Sequence, residues 1–158
     1  MAWSLARPLT WADFEGTPPT GGVEGARTVY ELSYESRCRG LTFQFQVTAI
    51  FLPEQSWVRR RVLADRDESS RVLRHEQTHF DLTEVYARRM RKYFAELYNP
   101  CGQPEDQLST SVDRFVKEEA SAQQRYDEET ENGLSVNRQR MWDRDVAGML
   151  ASLSGFAK

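Results

Sequence analysis

Hydrophobic and polar residues change rhythm along this chain. Leu41, Phe43, Phe45, Val47, Ala49 and Phe51 alternate with Thr42, Gln44, Gln46 and Thr48. Upstream, Tyr30, Leu32 and Tyr34 alternate with Glu31, Ser33 and Glu35. Period two among aromatic and β-branched residues predicts half-buried strands. The short ESRCRG between them predicts a hairpin over 28–52, with the polar row of the second strand facing solvent. From Asp67 the period becomes helical. Val72, His75, His79, Leu82, Tyr86, Met90, Tyr93 and Leu97 recur at spacings of three and four, in one stripe under ~100° wide. That helix is expected over 67–98, with Asp65, Asp67 and Glu68 at its positive end and Asn99, Pro100 and Gly102 stopping it. A second helix is expected over 109–133, with Val112, Phe115, Val116, Ala122 and Tyr126 inward and Asn132-Gly133 as its cap. A third, over 135–154, carries Met141, Trp142, Val146, Met149, Leu150 and Leu153.

Residues 1–27 hold three of the six prolines and four of the nine glycines, and read as an irregular segment anchored by Trp3, Trp11 and Phe14. At 158 residues the chain is expected to be a single domain. Strands followed by helices predict an α+β fold, a small antiparallel sheet and then three helices.

Composition excludes more than it assigns. A net charge of −3 supplies no basic face for a nucleic-acid partner. No run of ~18 apolar residues is present, so no membrane-spanning helix is expected. The opening MAWSLARPLTWADF lacks the charged-then-apolar pattern of a signal peptide. Cys38 and Cys101 lack C-x-x-C spacing, which excludes a redox motif or a cysteine zinc ribbon; one bridge between them suits an oxidising compartment. Arg59 to Arg61, and Arg88, Arg89 and Arg91, read as solvated faces, and Trp57 and Trp142 as buried packing.

The chemistry concentrates in LRHEQTHFDL, which holds the chain's only two histidines. Residues four apart on a helix lie ~40° apart around the axis, so His75 and His79 present their imidazoles side by side. Two such nitrogens reach one zinc ion at ~2.0–2.1 Å. Glu76 sits on the flank of the same stripe, placed to contact a water on the metal without ligating it. No glycine stands three residues past His79 and no third histidine follows, so the extended H-E-x-x-H-x-x-G-x-x-H signature is absent. The third ligand is then an acid from elsewhere, and Glu119, Asp127 and Glu129 on the second helix are all candidates by spacing.

The blocks LTWADFEG, FLPEQSWV, LRHEQTHFDLTEVYARRMRK and QQRYDEETENG, with a later QRMW, resemble the bacterial family called domain of unknown function 922. The resemblance runs in order from Trp11 to about Trp142. It implies a secreted or periplasmic zinc-dependent protease with a zincin-like site, His75 and His79 as ligands and Glu76 as base. The family's closing block, roughly Y-D-x-E-T-x-H, matches Tyr126, Asp127, Glu129 and Thr130 and gives Glu119 no support. Asp127 is the preferred third ligand, with Glu129 next. Where the family has histidine this chain has Asn132.

The expected activity is zinc-dependent hydrolysis of peptide bonds in a peptide or protein substrate. A water on the metal attacks, Glu76 acts as general base, and Tyr126 or Asn132 donates to the oxyanion. The Asn132 departure favours the alternative, a metal-binding or protein-binding module with little or no catalysis.

Overall fold

Short strands precede long helices along the chain. In the computed structural model, which describes residues 1–157 apart from the side chain of Glu105, the order is β1 (Ala26–Arg27), β2 (Tyr30–Arg39), β3 (Thr42–Phe51), β4 (Trp57–Val58), α1 (Arg60–Ala64), α2 (Arg66–Glu96), α3 (Glu105–Thr130) and α4 (Val136–Ser152). The architecture is α+β, with two small antiparallel sheets, β2–β3 and β1–β4. Among the described residues, no helix is long and apolar enough to cross a membrane.

The hairpin pairs in unbroken register from Tyr30↔Phe51 to Arg39↔Thr42. Gly40, at φ 61°, makes its turn. Alternation along β3 becomes real burial only toward its C-terminal end, where Val47, Ala49 and Phe51 are buried. Phe45 stacks on Phe94 of α2 at 4.0 Å between ring centres. Leu41, read as part of the inward row, sits at the turn and is 91 % exposed, because the tip overhangs the core. Thr42, Gln44 and Gln46 face solvent, and a Cys38–Cys101 disulfide ties the tip to the loop after α2.

α2 is the centre of the molecule rather than one wall of it. Every residue from Leu82 to Arg88 is buried, because β3, α3 and α4 all pack on this stretch. A single apolar stripe therefore understates its burial. The arginines here are not a solvated face. Arg88 donates to Glu84 at 2.9 Å and to the Leu150 carbonyl at 2.7 Å. Arg91 joins Glu84 at 3.0 Å to the carbonyls of Val47 at 2.8 Å and Phe156 at 2.9 Å. Arg88 is buried and Arg91 half-buried, and losing one partner of a buried pair such as Arg88–Glu84 costs ~3–5 kcal/mol.

The first 27 residues are less irregular than their glycines and prolines suggest. Met1 and Trp3 extend the hairpin, with Phe51 N donating to Met1 O at 2.8 Å and Trp3 N to Ala49 O at 3.0 Å. Trp11, Phe14 and Phe51 pack edge to face behind them. The short α1 has no counterpart in the sequence pattern. Asp65, extended at φ −115°, separates it from α2 and caps α2 by accepting from Asp67 N at 3.0 Å and Glu68 N at 2.8 Å. α3 begins at Glu105, ahead of the expected 109, directly after Pro104.

Candidate metal centre

Both histidines leave α2 on the face turned toward α3. His75 and His79 present Nε2 atoms 3.2 Å apart, and Asp127 of α3 places Oδ1 3.1 Å from the first and 2.9 Å from the second. One atom from each residue thus converges on one point, and the three could together hold a metal ion.

What lies behind the rings decides what they offer in front. His75 Nδ1 meets Gln139 Oε1 at 3.1 Å, and His79 Nδ1 meets Gln123 Oε1 at 2.7 Å. A carbonyl oxygen only accepts, so each Nδ1 carries the proton and each Nε2 points a lone pair forward. Two lone pairs and a carboxylate oxygen then face one another with no donor among them. Only a cation reconciles three acceptors at such distances. A metal ion, or a proton on one Nε2, can fill that role. Burial lowers the His79 pKa, but its hydrogen bond to Asp127 and the charges of Glu76 and Asp127 outweigh this and hold it above the ordinary value. Burial likewise pushes the Asp127 carboxyl up, yet hydrogen bonds from His75 and His79 prevail and keep it well below the usual range.

The cluster opens onto a cavity of about 750 Å³. One wall is the run from Val23 to Tyr30, and the other is the α2 face carrying Arg71, Val72, His75, Glu76 and His79; Asp127, Asn132 and Leu134 border it from the third side. Tyr30 lies nearly parallel to the His79 ring at 6.4 Å. Burial first, then the charges of Glu119, Asp127 and Glu76, push its hydroxyl pKa far up, so Tyr30 is a neutral phenol at this wall.

The model of a family described as "Bacterial protein of unknown function (DUF922)" matches residues 13–133. The chain belongs to this family. No curated protein and no solved structure matches it. The matched segment of the DUF922 chain runs from the Trp11–Asp13 turn to the end of α3, and so contains His75, Glu76, His79 and Asp127.

The other residues singled out in the DUF922 sequence fall in different places. Glu129 turns away from the histidines, and its Oε2 accepts from the Trp142 indole at 2.9 Å. The structure thus brings Asp127, not Glu129, to the rings. Tyr126 is wholly buried, and its hydroxyl donates to the His75 carbonyl at 3.1 Å and accepts from Gln139 Nε2 at 2.7 Å. Its ring stacks on His75 at 4.7 Å. It supports the ligand from behind and is not among the residues lining the cavity, so it is not placed to stabilise an oxyanion. Glu119 accepts from Thr83 and Gln123 instead of approaching the rings. Asn132 does line the cavity, in the left-handed turn that closes α3. Trp57 and Trp142 are buried.

Does this donor set suit a metal? At a tetrahedral zinc with bonds of ~2.0–2.1 Å, ligand atoms stand roughly 3.3–3.4 Å apart. The separations here, 2.9 to 3.2 Å, need to open by only a few tenths of an ångström. Two imidazoles of fixed tautomer plus one carboxylate is a set that binds zinc with a coordination position left over. The residues fit.

Gln123 and Gln139 were not anticipated, nor was the packing of the cap residue Gly133 against the His75 ring. The signal for the amides was present: Gln123 falls in phase with Phe115, Glu119, Tyr126 and Thr130, and Gln139 with Trp142, Val146 and Leu150, all of them buried. A polar residue on an apolar stripe has a buried partner to satisfy.

Proposed function

We propose that this DUF922 chain is a zinc-dependent peptide hydrolase with a zincin-like site. The observation that carries the reading is the convergence of three acceptor atoms, from His75, His79 and Asp127, on one point beside the buried Glu76. A zinc ion held there would supply Lewis acidity, polarising a carbonyl and bringing the pKa of water toward ~7.

The chain's own residues supply the rest. Glu76 lines the same cavity but is not one of the three converging groups, which leaves its carboxylate free to carry a proton. It takes that proton from the attacking water and delivers it to the leaving amine nitrogen as the C–N bond breaks. Asn132 offers the neutral amide donor available to the developing oxyanion, an interaction of ~3 kcal/mol where one donor is removed. Its reach is shorter than that of the histidine in the family's closing block. The cavity wall from Val23 to Tyr30 includes the short strand Ala26–Arg27 and the start of β2 at Tyr30, backbone along which an extended peptide could lie. The Cys38–Cys101 disulfide supports an oxidising compartment, periplasmic or extracellular.

The test is a mixed peptide library incubated with zinc-loaded wild type and with Glu76→Gln. Cleavage by the wild type, falling at least ~100-fold in the variant while zinc content stays the same, is the expected result. Equal cleavage by both removes Glu76 from the reaction. Retained zinc without turnover by either protein selects the non-catalytic metal-binding module.

A further inference from the structure

The two glutamines behind the histidines do not choose their own orientation. An amide that flips presents N–H instead of C=O, and the imidazole it faces must then move its proton to Nε2, where it blocks a metal. Each glutamine is held against that flip by an acid one helical turn away on its own helix. On α3, Gln123 Nε2 donates to Glu119 Oε1 at 2.6 Å while Gln123 Oε1 faces His79 Nδ1. On α4, Gln139 Nε2 donates to Asp143 Oδ1 at 2.7 Å while Gln139 Oε1 faces His75 Nδ1. The arrangement appears twice, on different helices, with the order of acid and amide reversed.

We infer that Glu119 and Asp143 are positioning residues for the metal centre, each acting through a glutamine to fix the tautomer of one histidine. A carboxylate has no donor of its own, so it accepts only the –NH₂ end of the amide and thereby selects which end meets the ring. Further acceptors reinforce each choice: the His79 carbonyl at 3.0 Å from Gln123 Nε2, and the Tyr126 hydroxyl at 2.7 Å from Gln139 Nε2. Glu119, Gln123 and Gln139 are buried, where a mis-set amide would find no water to satisfy it. Outer-sphere partners of this kind typically change metal affinity by ~10–100-fold. The metal part of this inference rests on the proposed function; the tautomer part does not.

The experiment separates the two. Long-range ¹H–¹⁵N spectra of metal-free protein, recorded on the alkaline plateau where both imidazoles have titrated to the neutral form, report which ring nitrogen carries the proton. Wild type is expected to show Nδ1–H on both rings. Glu119→Leu should populate Nε2–H at His79 alone. Adding Gln123→Glu to that variant should restore Nδ1–H, because a carboxylate accepts at either oxygen. Zinc affinity, measured by competition with a chromophoric chelator, should fall ~10–100-fold in Glu119→Leu and largely recover in the double variant. A merely structural role for Glu119 would give no such recovery, since the second substitution restores none of its contacts. If Glu119→Leu does not fold, Asp143→Leu with and without Gln139→Glu reads the same effect at His75. An unchanged tautomer, or a loss of affinity that the second substitution does not repair, overturns the inference. Failure of the wild type to bind zinc would defeat the proposed function and leave the spectra to test the relay.

Discussion

Gly133 lies so close to His75 that a β-carbon at position 133 would stand 2.9 Å from the ring's Cγ and 3.0 Å from its Nδ1. The same residue sits at φ 78°, the last of three left-handed residues after α3. Arg71 holds it there by donating to its carbonyl at 2.9 Å. Backbone therefore packs directly on a proposed ligand, and glycine is required twice over, for its dihedral and for its missing side chain. Gly133→Ala is expected to cost about 1–3 kcal/mol in strain and to lower the melting temperature by roughly 2–10 °C. Because His75 must shift, zinc affinity should fall with it. Gly148 of α4 is the control: a β-carbon there would have nothing within 4 Å, and Gly148→Ala should stabilise by about 1 kcal/mol. Thermal melts and chelator competition on the two variants check both statements.

Asp127 and Glu129 lie two residues apart and point to different neighbours. Asp127→Asn should weaken zinc binding by more than the ~10–100-fold typical of outer-sphere changes. Glu129→Gln should leave it within a few-fold, since its contact is the Trp142 indole. Equilibrium zinc titration of both variants measures the contrast, and equal losses would contradict the assignment of Asp127.

The Cys38–Cys101 bridge spans 63 residues of sequence. A loop of that length constrains the unfolded chain by roughly 4 kcal/mol in the chain-entropy account, with typical measured values of ~2–4. The paired variant Cys38→Ser/Cys101→Ser should lose about that much in denaturant unfolding. Its zinc affinity should hold, because the bridge anchors the exposed hairpin tip while Tyr30, at the other end of β2, borders the cavity.

Asp13 gives the acid limb of stability a specific contributor. A hydrogen bond from Arg7 first, and the Thr10 N–H and hydroxyl besides, outweigh its partial burial and hold its carboxyl below the ordinary 3.8. A folded-state pKa below the unfolded one means that the contribution is complete above the unfolded value and is lost as pH falls through the folded one. Asp13→Asn should therefore be less stable than wild type at pH 7, and the gap should close below about pH 3. Denaturant midpoints at the two pH values read it.

Helix α2 and the hairpin were legible because burial imposes a period on them. The histidine pair stood out because it uses both histidines in the chain at metal-binding spacing. The resemblance set Glu119 aside but matched Asp127 and Glu129 alike; only the packed helices separate those two, since spacing does not say which side chain a neighbouring helix will meet. Tyr126 was misread for a related reason: a phenol beside a metal site looks like a donor until its hydroxyl is seen to be committed to His75 O and Gln139. The buried arginines were misread because nothing local distinguishes Arg88 on a solvated face from Arg88 between Glu84 and the end of α4. Burial on every side of α2 is a property of the packed layers, which periodicity in one segment does not encode.

The most direct measurement is an anomalous difference map from crystals grown with zinc, recorded on both sides of the zinc absorption edge. One peak per chain is predicted, bonded to His75 Nε2, His79 Nε2 and Asp127 Oδ1 at ~2.0–2.2 Å, with both Nδ1 atoms still facing Gln139 and Gln123. No peak at that point, with either ring rotated to offer Nδ1 instead, would contradict the account.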